Sequence, residues 1–225
     1  MKNSNWRLSR FSSWLFGFGI ILAINACEHN ALGVAPQPVI ELIPLNTGNR
    51  WEFRRTFFDP QGAVLTTRLD SIVVKADTAI AGERWFFLSI YKPRPAYRSN
   101  ENGFLVGVFS ENAPAKSGVQ YKYPAQIGEL HPFPVAYYAG YDMYLSDTTY
   151  SATIISTDTI IAVPAGVYQC YQYRIFRKNG EGTYTDEFIS PQHGWIKSDA
   201  YSKIGLQGSL FKANSLELLN SVIRR

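Results

Sequence analysis

Three histidines are the first side chains in this sequence whose type could support catalysis or metal binding. They are His29, His131 and His193, and no two have the i, i+4 spacing of a helical zinc site. His131 precedes a proline-rich loop and His193 lies in a predicted turn. Two of them could meet in space, but solvated loop positions are the simpler interpretation. The histidines therefore predict no metal site.

Acidic residues are scattered over predicted turns and strand ends, where two of them could form a glycosidase pair. The candidates are Asp142, Asp147, Asp158, Asp186 and Glu187. Glycoside hydrolysis needs two carboxyl groups about 5–10 Å apart, and a sequence does not give that distance. The chain has no Gly-x-Ser-x-Gly elbow and no phosphate-binding glycine loop. We predict no catalytic residue, no cofactor and no enzymatic activity.

The cysteine at position 27 has the sequence context of a lipidation site. Three basic residues, Lys2, Arg7 and Arg10, lie within the first ten positions. An apolar run follows them and ends in Ile24-Asn25-Ala26-Cys27. A basic leader, an apolar core and a small residue before the cut are typical of a secretory signal. The segment resembles a bacterial lipoprotein signal, which implies cleavage after Ala26 and acylation of Cys27 with lipid chains such as palmitate.

A membrane-spanning helix and an ordinary secretory signal are the two alternatives. A spanning helix needs ~20 apolar residues, whereas this run is shorter, contains two glycines and ends at Asn25. An ordinary signal does not require cysteine at the cut. We therefore predict a signal peptide at residues 1–26 and a tether at Cys27 to the outer membrane, more readily at its periplasmic face than at the cell surface. Glu28 is not the aspartate linked to inner-membrane retention in enteric bacteria.

Charge and cysteine content limit the functions that the rest of the chain could have. Of 22 basic and 18 acidic residues, three basic ones and no acidic ones lie in the leader, so the remainder is close to neutral. Such a chain lacks the basic footprint of a nucleic-acid-binding protein. The second cysteine, Cys170, has no disulfide partner once Cys27 is acylated. We interpret Cys170 as a buried apolar filler, with a reactive thiol as the alternative.

The region after the spacer reads as strands separated by turns. Residues 27–40 hold a glycine and two prolines and predict a flexible spacer. Turn signals recur every ten or so residues through 41–225, and no long segment has a helical period. Predicted strands are Trp51–Phe58, Ala63–Thr78, Arg84–Tyr91, Phe104–Phe109, Val119–Tyr123, Tyr150–Ile161, Val167–Arg177, Tyr184–Ser190, Trp195–Lys197, Ile204–Lys212 and Leu216–Ile223. Residues 41–225 are therefore predicted to form one antiparallel all-β domain.

Apolar residues occupy both parities of Arg84–Tyr91, so both faces of that strand should be covered, as in a curved sheet with a filled concave side. Two segments also repeat a pattern: Pro44-x-x-x-Gly48 matches Pro124-x-x-x-Gly128. Each is followed by a strand, a turn and an aromatic strand. We interpret residues 41–120 and 121–225 as two related halves, with chance similarity between two β meanders as the alternative.

Three motifs resemble a known group of proteins. They are Pro44-Leu45-x-x-Gly48-x-x-Trp51, Val163-Pro164-Ala165-Gly166 and Pro191-x-x-Gly194-x-Ile196-Lys197. They resemble uncharacterised outer-membrane lipoproteins of Bacteroidota, although His193 and Trp195 stand where that family often has small or aliphatic residues. The resemblance implies a fold similar to the open β half-barrel of lipoprotein-sorting carriers and receptors. It specifies fold more than activity.

Tyrosine is concentrated in one segment of the chain. The candidate ligand-binding residues there are Tyr137, Tyr138, Tyr141 and Tyr144, with Tyr150 beyond them. Tyrosine combines an apolar ring with a polar tip and suits a binding surface, although it is also common in half-buried strands. We expect a non-enzymatic, lipid-anchored envelope protein that binds a lipid or other apolar ligand, or a protein partner, in its concave face. The alternative is a glycan-binding or adhesion module that uses segment 137–150.

Overall fold

The computed structural model describes residues 40–89, 95–110, 113–139, 142–179, 182–205 and 208–224, with the backbone only at 110, 113–115, 138, 139 and 142. The predicted signal peptide, nearly all of the spacer and Cys27 lie outside the described residues. Fourteen strands occur in the described ranges. They are β1 Arg50–Phe58, β2 Val64–Ile80, β3 Glu83–Leu88, β4 Ala96–Asn100, β5 Gly103–Ser110, β6 Ala113–Lys122, β7 Leu130–Pro132, β8 Val135–Ala139, β9 Asp142–Ser146, β10 Tyr150–Val163, β11 Gly166–Arg177, β12 Tyr184–Ser190, β13 Gly194–Lys203 and β14 Leu210–Val222.

Twelve of these strands form one antiparallel sheet. Its order is β6-β5-β4-β3-β2-β1-β14-β13-β12-β11-β10-β7, and β8 and β9 form a separate hairpin. Two meanders therefore meet where β1 pairs with β14. The all-β antiparallel prediction is confirmed. The sheet curls further than the predicted half-barrel, because twist accumulates over its many strands, and forms a nearly closed barrel with an unsealed seam.

Side chains bridge the seam between the edge strands β6 and β7. His131 Nε2 lies 3.0 Å from the main-chain oxygen of Gln120, and the Gln120 amide donates to the Pro134 carbonyl at 2.9 Å. The Lys122 ammonium pairs with the Glu129 carboxylate on the same side. These bonds hold the two edges close without the continuous main-chain ladder that joins neighbouring strands elsewhere in the sheet.

The segment before β1 packs into one end of the barrel. The three aliphatic side chains of residues 42–45 are buried in the same core as Trp51. Trp51 Nε1 donates a 2.6 Å hydrogen bond to the His193 carbonyl. A Cβ atom at Gly194 would lie 2.9 Å from that indole nitrogen, so only glycine allows this approach. The first and third resemblance motifs therefore contact each other through Trp51, His193 and Gly194.

Most predicted strands reappear with end shifts of up to three residues, but β6 begins six residues before its predicted start and β13 ends six residues after its predicted end. The short strands β4, β7, β8 and β9 have no counterpart among the predictions, because each holds five residues or fewer. The two final predicted strands are one continuous strand, β14, which starts six residues later than predicted.

The strand β3 is covered on both faces, as predicted. Trp85, Phe86 and Leu88 are all buried. Phe86 and Leu88 belong to the interior core, whereas Trp85 packs edge-on against Phe109, with ring centroids 5.0 Å apart. Side chains at alternate positions of β3 are therefore buried for two reasons. One set packs in the barrel interior, and Trp85 is covered by an aromatic contact outside it.

The two Pro-x-x-x-Gly turns have matching hydrogen bonds. Gly48 N donates to Val74 O at 2.9 Å, and Gly128 N donates to Ile154 O at 2.8 Å. Val74 N and Ile154 N each donate back to the residue after the glycine. Both glycines have positive φ, +93° and +80°, which favours glycine at each site. The local geometry agrees with the expectation of two related halves.

Candidate functional site

The interior of the barrel contains a cavity of about 540 Å³ that is partly open to solvent. Most of its lining is apolar, with Phe53, Ile72, Leu88, Phe104, Trp195 and Leu216 among the side chains on its wall. Small-molecule sites in proteins are commonly apolar clefts of ~300–1,000 Å³ with a few polar groups. A depression of about 610 Å³ also lies over residues 124–129, but one loop alone lines it. We therefore place the candidate site inside the barrel.

Three charged residues line the cavity, and two of them, Arg55 and Lys197, have carboxylate partners. Arg55 Nε lies 2.5 Å from Asp70 Oδ2, and Arg55 Nη1 donates to Asn214 at 3.2 Å. Lys197 Nζ lies 3.4 Å from Asp199 and 4.0 Å from Glu217. Asp70 and Glu217 belong to neighbouring strands, and Asp199 lies two residues from Lys197 on β13. Asp70 also pairs with Arg68, Glu217 with Arg54 and Asp199 with Lys212, so both wall cations share their carboxylates with a second basic residue.

Glu187 is the third charged residue and has a different environment. Tyr121 Oη donates a 2.8 Å hydrogen bond to Glu187 Oε2. Within the described residues, no basic group forms an ion pair with this carboxyl. Glu187 is only partly buried by surface area, and we attribute the surface it keeps to the cavity that it lines. Burial raises the pKa of Glu187, while the Tyr121 hydrogen bond and Arg55 oppose that rise.

Aromatic rings surround this part of the wall. Phe104 packs edge-on against Trp195 at 5.4 Å between centroids and lies 5.9 Å from the ring of Tyr121. Tyr97 stacks on Phe104 at 5.4 Å. Tyr121 thus connects the partly exposed carboxyl of Glu187 to a cluster of aromatic rings. This arrangement places a hydrogen-bond acceptor, the Glu187 carboxyl, next to an aromatic side chain.

The tyrosine-rich segment forms the hairpin β8–β9, which covers part of the cavity. Ala136 and Met143 line the cavity wall. Tyr137 and Tyr144 are cross-strand partners with 48% and 43% of their surfaces exposed, and their ring centroids are 5.9 Å apart. Tyr138 is described only in its backbone, and Tyr141 lies outside the described residues. The described tyrosines of the predicted site therefore form an outer pair.

The histidines lie in the seam and in a turn. His131 is buried in the seam, and burial lowers its pKa. Its Nδ1 has no hydrogen-bond partner in the described structure. His193 is exposed in the β12–β13 turn, with Nδ1 3.1 Å from the Pro191 carbonyl and its ring 5.4 Å from that of Tyr168. His29 lies outside the described residues. In the described part of the chain, no cluster of three potential metal ligands occurs.

The candidate carboxylates lie in separate settings. Asp186 is buried and bound by Arg174 through two 2.8 Å hydrogen bonds. Asp158 accepts a hydrogen bond from Ser156, and Asp147 is exposed in a turn. The side chain of Asp142 lies outside the description. Among the cavity-lining residues that the structure describes, Glu187 is the one carboxylate.

Sequence reasoning named Glu187 only as one of several scattered acids and missed Arg55, Tyr121 and Lys197 as site residues. A signal for Glu187 existed, because it shares strand parity with the fully buried Ile189. The other three needed the barrel to bring them to one wall. Cys170 is buried, as its interpretation as an apolar filler requires, and Cys27 lies outside the described residues.

Fold and site together define a nearly closed antiparallel β-barrel with an apolar, partly charged interior cavity. Within the residues that the structure covers, no helix has the length and apolarity needed to cross a bilayer. No family model matches the chain, and no curated protein matches it.

Two solved structures have remote similarity to this chain. One is a predicted lipoprotein of Parabacteroides distasonis, 14% identical, with a TM-score of 0.36 over 83% of this chain and 100% of that one. The other is a predicted exported protein with a YmcC-like fold from Bacteroides fragilis, 11% identical, with a TM-score of 0.42 over 81% of this chain and 99% of that one. At these values the function has to be argued from the site.

Proposed function

We propose that the chain is a lipid-anchored protein of the bacterial envelope that holds an apolar ligand inside its barrel and performs no catalytic step. The anchor part of the proposal rests on the Ile24-Asn25-Ala26-Cys27 motif and its basic, apolar leader. On this view Cys27 carries the acyl chains and the membrane is its permanent partner. The outer membrane and its periplasmic face are the proposed location.

The cavity of about 540 Å³ is the observation that carries the binding proposal. A protein interior is normally packed to the density of an organic crystal, with few voids larger than a water molecule. A cavity of this size in the barrel interior, partly open to solvent, leaves apolar side chains in contact with water in the empty protein, and an apolar ligand would cover them. Its size suits one chain of a lipid or a similarly small apolar compound.

The test is native purification of the full chain followed by mass spectrometry of whatever co-elutes. We expect an apolar ligand with the wild type and its loss in Ala200→Phe, because Ala200 lines the cavity and a phenyl ring there would occupy it. Ala79→Phe on the exposed surface of β2 is the matched control and should keep the ligand. Repeated wild-type preparations without any ligand, or equal ligand in all three proteins, would contradict the proposal.

A second candidate function is glycan binding or adhesion through the hairpin β8–β9. The exposed pair Tyr137 and Tyr144 favours it, because aromatic rings held side by side can supply apolar contact area with a polar edge. In a glycan-array experiment, Tyr137→Ala with Tyr144→Ala should abolish binding while Ala200→Phe leaves it intact. The reverse pattern would favour the interior cavity.

A further inference from the structure

We infer that the cavity selects single-chain amphiphiles whose polar end is a primary ammonium group, bound by Glu187 beside the rings of Phe104, Tyr121 and Trp195. This rests on the proposed function, because it names the ligand class of the same cavity. The apolar wall would hold the chain, and the carboxyl would hold the head group. The inference is carried by the unequal pairing of the three charged residues on the wall.

The two cations of the wall already have anionic partners. Asp70 binds Arg55 at 2.5 Å, and Asp199 and Glu217 lie within 4.0 Å of Lys197. An anionic head group would have to compete with these carboxylates, each of which also pairs with a second basic residue, Arg68, Lys212 or Arg54.

Glu187, in contrast, has one neutral donor and no ion pair in the described structure. Tyr121 donates to Oε2 at 2.8 Å, and no described residue donates to Oε1. A carboxylate enclosed by apolar side chains is costly unless a charged or hydrogen-bonding partner compensates it. An ammonium supplies a positive charge and three N–H donors. A ligand of this class would satisfy the group that the protein leaves unpaired.

The neighbouring rings point to the same ligand class. Phe104 contacts both Tyr121 and Trp195, all three rings line the cavity, and Tyr121 donates its hydroxyl to Glu187. The face of an aromatic ring attracts a cation, and the attraction is strongest where water is excluded. A carboxylate combined with aromatic faces is a setting that favours an organic ammonium over a neutral alcohol of the same length.

The experiment uses photoaffinity probes with the full-length lipidated protein in proteoliposomes. Three C12 probes with the same mid-chain diazirine differ only in their head groups: amine, alcohol and carboxylic acid. The readout is the probe concentration that gives half-maximal labelling of cavity peptides, identified by mass spectrometry. Glu187→Gln keeps the shape and removes the charge, and Glu101→Gln on an exposed turn is the matched control.

We expect the amine to label the wild type and the Glu101→Gln variant at a concentration about tenfold or more below that of the alcohol. In Glu187→Gln this advantage should disappear while labelling by the alcohol stays unchanged. Three outcomes would overturn this inference but leave the proposed function intact. They are equal labelling by amine and alcohol, labelling by the carboxylic acid at the lowest concentration, and an amine preference that persists in Glu187→Gln. If no probe labels the wild type above Ala200→Phe, the proposed function fails together with it.

Discussion

The hydroxyl of Tyr173 donates a 2.6 Å hydrogen bond to the main-chain oxygen of Lys122. Tyr173 lies on β11 and Lys122 ends the edge strand β6, and the strands β10 and β7 lie between β11 and the seam in the sheet order. The bond therefore crosses the interior of the curled sheet. It connects the two meanders near the seam, where the described strands β6 and β7 are not joined by main-chain hydrogen bonds. It connects residues 51 positions apart in the sequence.

Tyr173→Phe should destabilise the barrel because it removes this donor from the partly buried Lys122 carbonyl. We expect a loss of about 1–2 kcal/mol in the free energy of unfolding. Urea denaturation followed by tryptophan fluorescence measures it. Tyr184→Phe, on a ring that stacks against Tyr201 at 4.7 Å, is the control and should change stability much less. Equal effects of the two substitutions would show that the seam bond contributes nothing specific.

His131 should make stability depend on pH in the mildly acidic range. Its pKa is lowered by burial below the ordinary 6.5, so the unfolded chain binds its proton more readily than the folded one. The contribution of neutral His131 is complete above pH 6.5 and is lost as the pH falls below it. His131→Gln, whose amide can still donate to the Gln120 carbonyl, removes this component.

The measurement compares urea unfolding of the wild type and His131→Gln at about pH 7.5 and about pH 5. The wild type should lose more stability than the variant between the two values. An equal loss of stability in both proteins would mean that His131 does not take up a proton on unfolding. The seam would then not contribute to the pH dependence of stability.

Glu187 should change stability with pH in the opposite direction to His131. Its pKa is raised in the folded state, so the folded chain holds this proton more tightly, and ionisation costs stability as the pH rises above the ordinary value of 4.5. Glu187→Gln should therefore stabilise the ligand-free protein near neutral pH and have little effect near pH 4. Thermal denaturation at both pH values is the measurement. A destabilised variant at neutral pH would show that the carboxylate is compensated in the folded protein.

The thiol of Cys170 should not react in the folded protein. Burial raises its pKa from 9.0 to about 12, so almost no thiolate forms at about pH 8. Iodoacetamide should leave Cys170 unmodified in the native protein and label it fully in denaturant, as intact-mass spectrometry would show. Labelling of the native protein at the denatured rate would mean that the β11 region opens readily.

Cys27→Ser should abolish the membrane tether. Each buried methylene of an acyl chain contributes ~0.8 kcal/mol, and several chains together make the attachment effectively permanent. We expect an unprocessed or soluble chain without acyl groups, detected by membrane fractionation and mass spectrometry. Cys170→Ser is the control and should remain lipidated. A Cys27→Ser protein that stays with membranes after detergent-free washing would contradict the anchor.

Much of the fold could be predicted because turns and strands leave local signals. The bounds of β12 agree with the predicted Tyr184–Ser190, since glycine and proline turns flank it. The merged strand β14 could not be predicted in the same way. Its residues Asn214 and Ser215 have no apolar side chain, and pairing with β1 and β13 on both sides is what keeps them extended.

The local patterns of the chain predict a lipidation motif, and they determined the all-β class and the positions of most strands, because turn chemistry and side-chain alternation act between residues near in sequence. Only the tertiary structure decided that the sheet nearly closes and that Tyr121 meets Glu187, 66 positions away. Closure depends on the twist added up over twelve strands, which no short segment encodes. The cavity and its unpaired carboxyl are therefore properties of the assembled barrel.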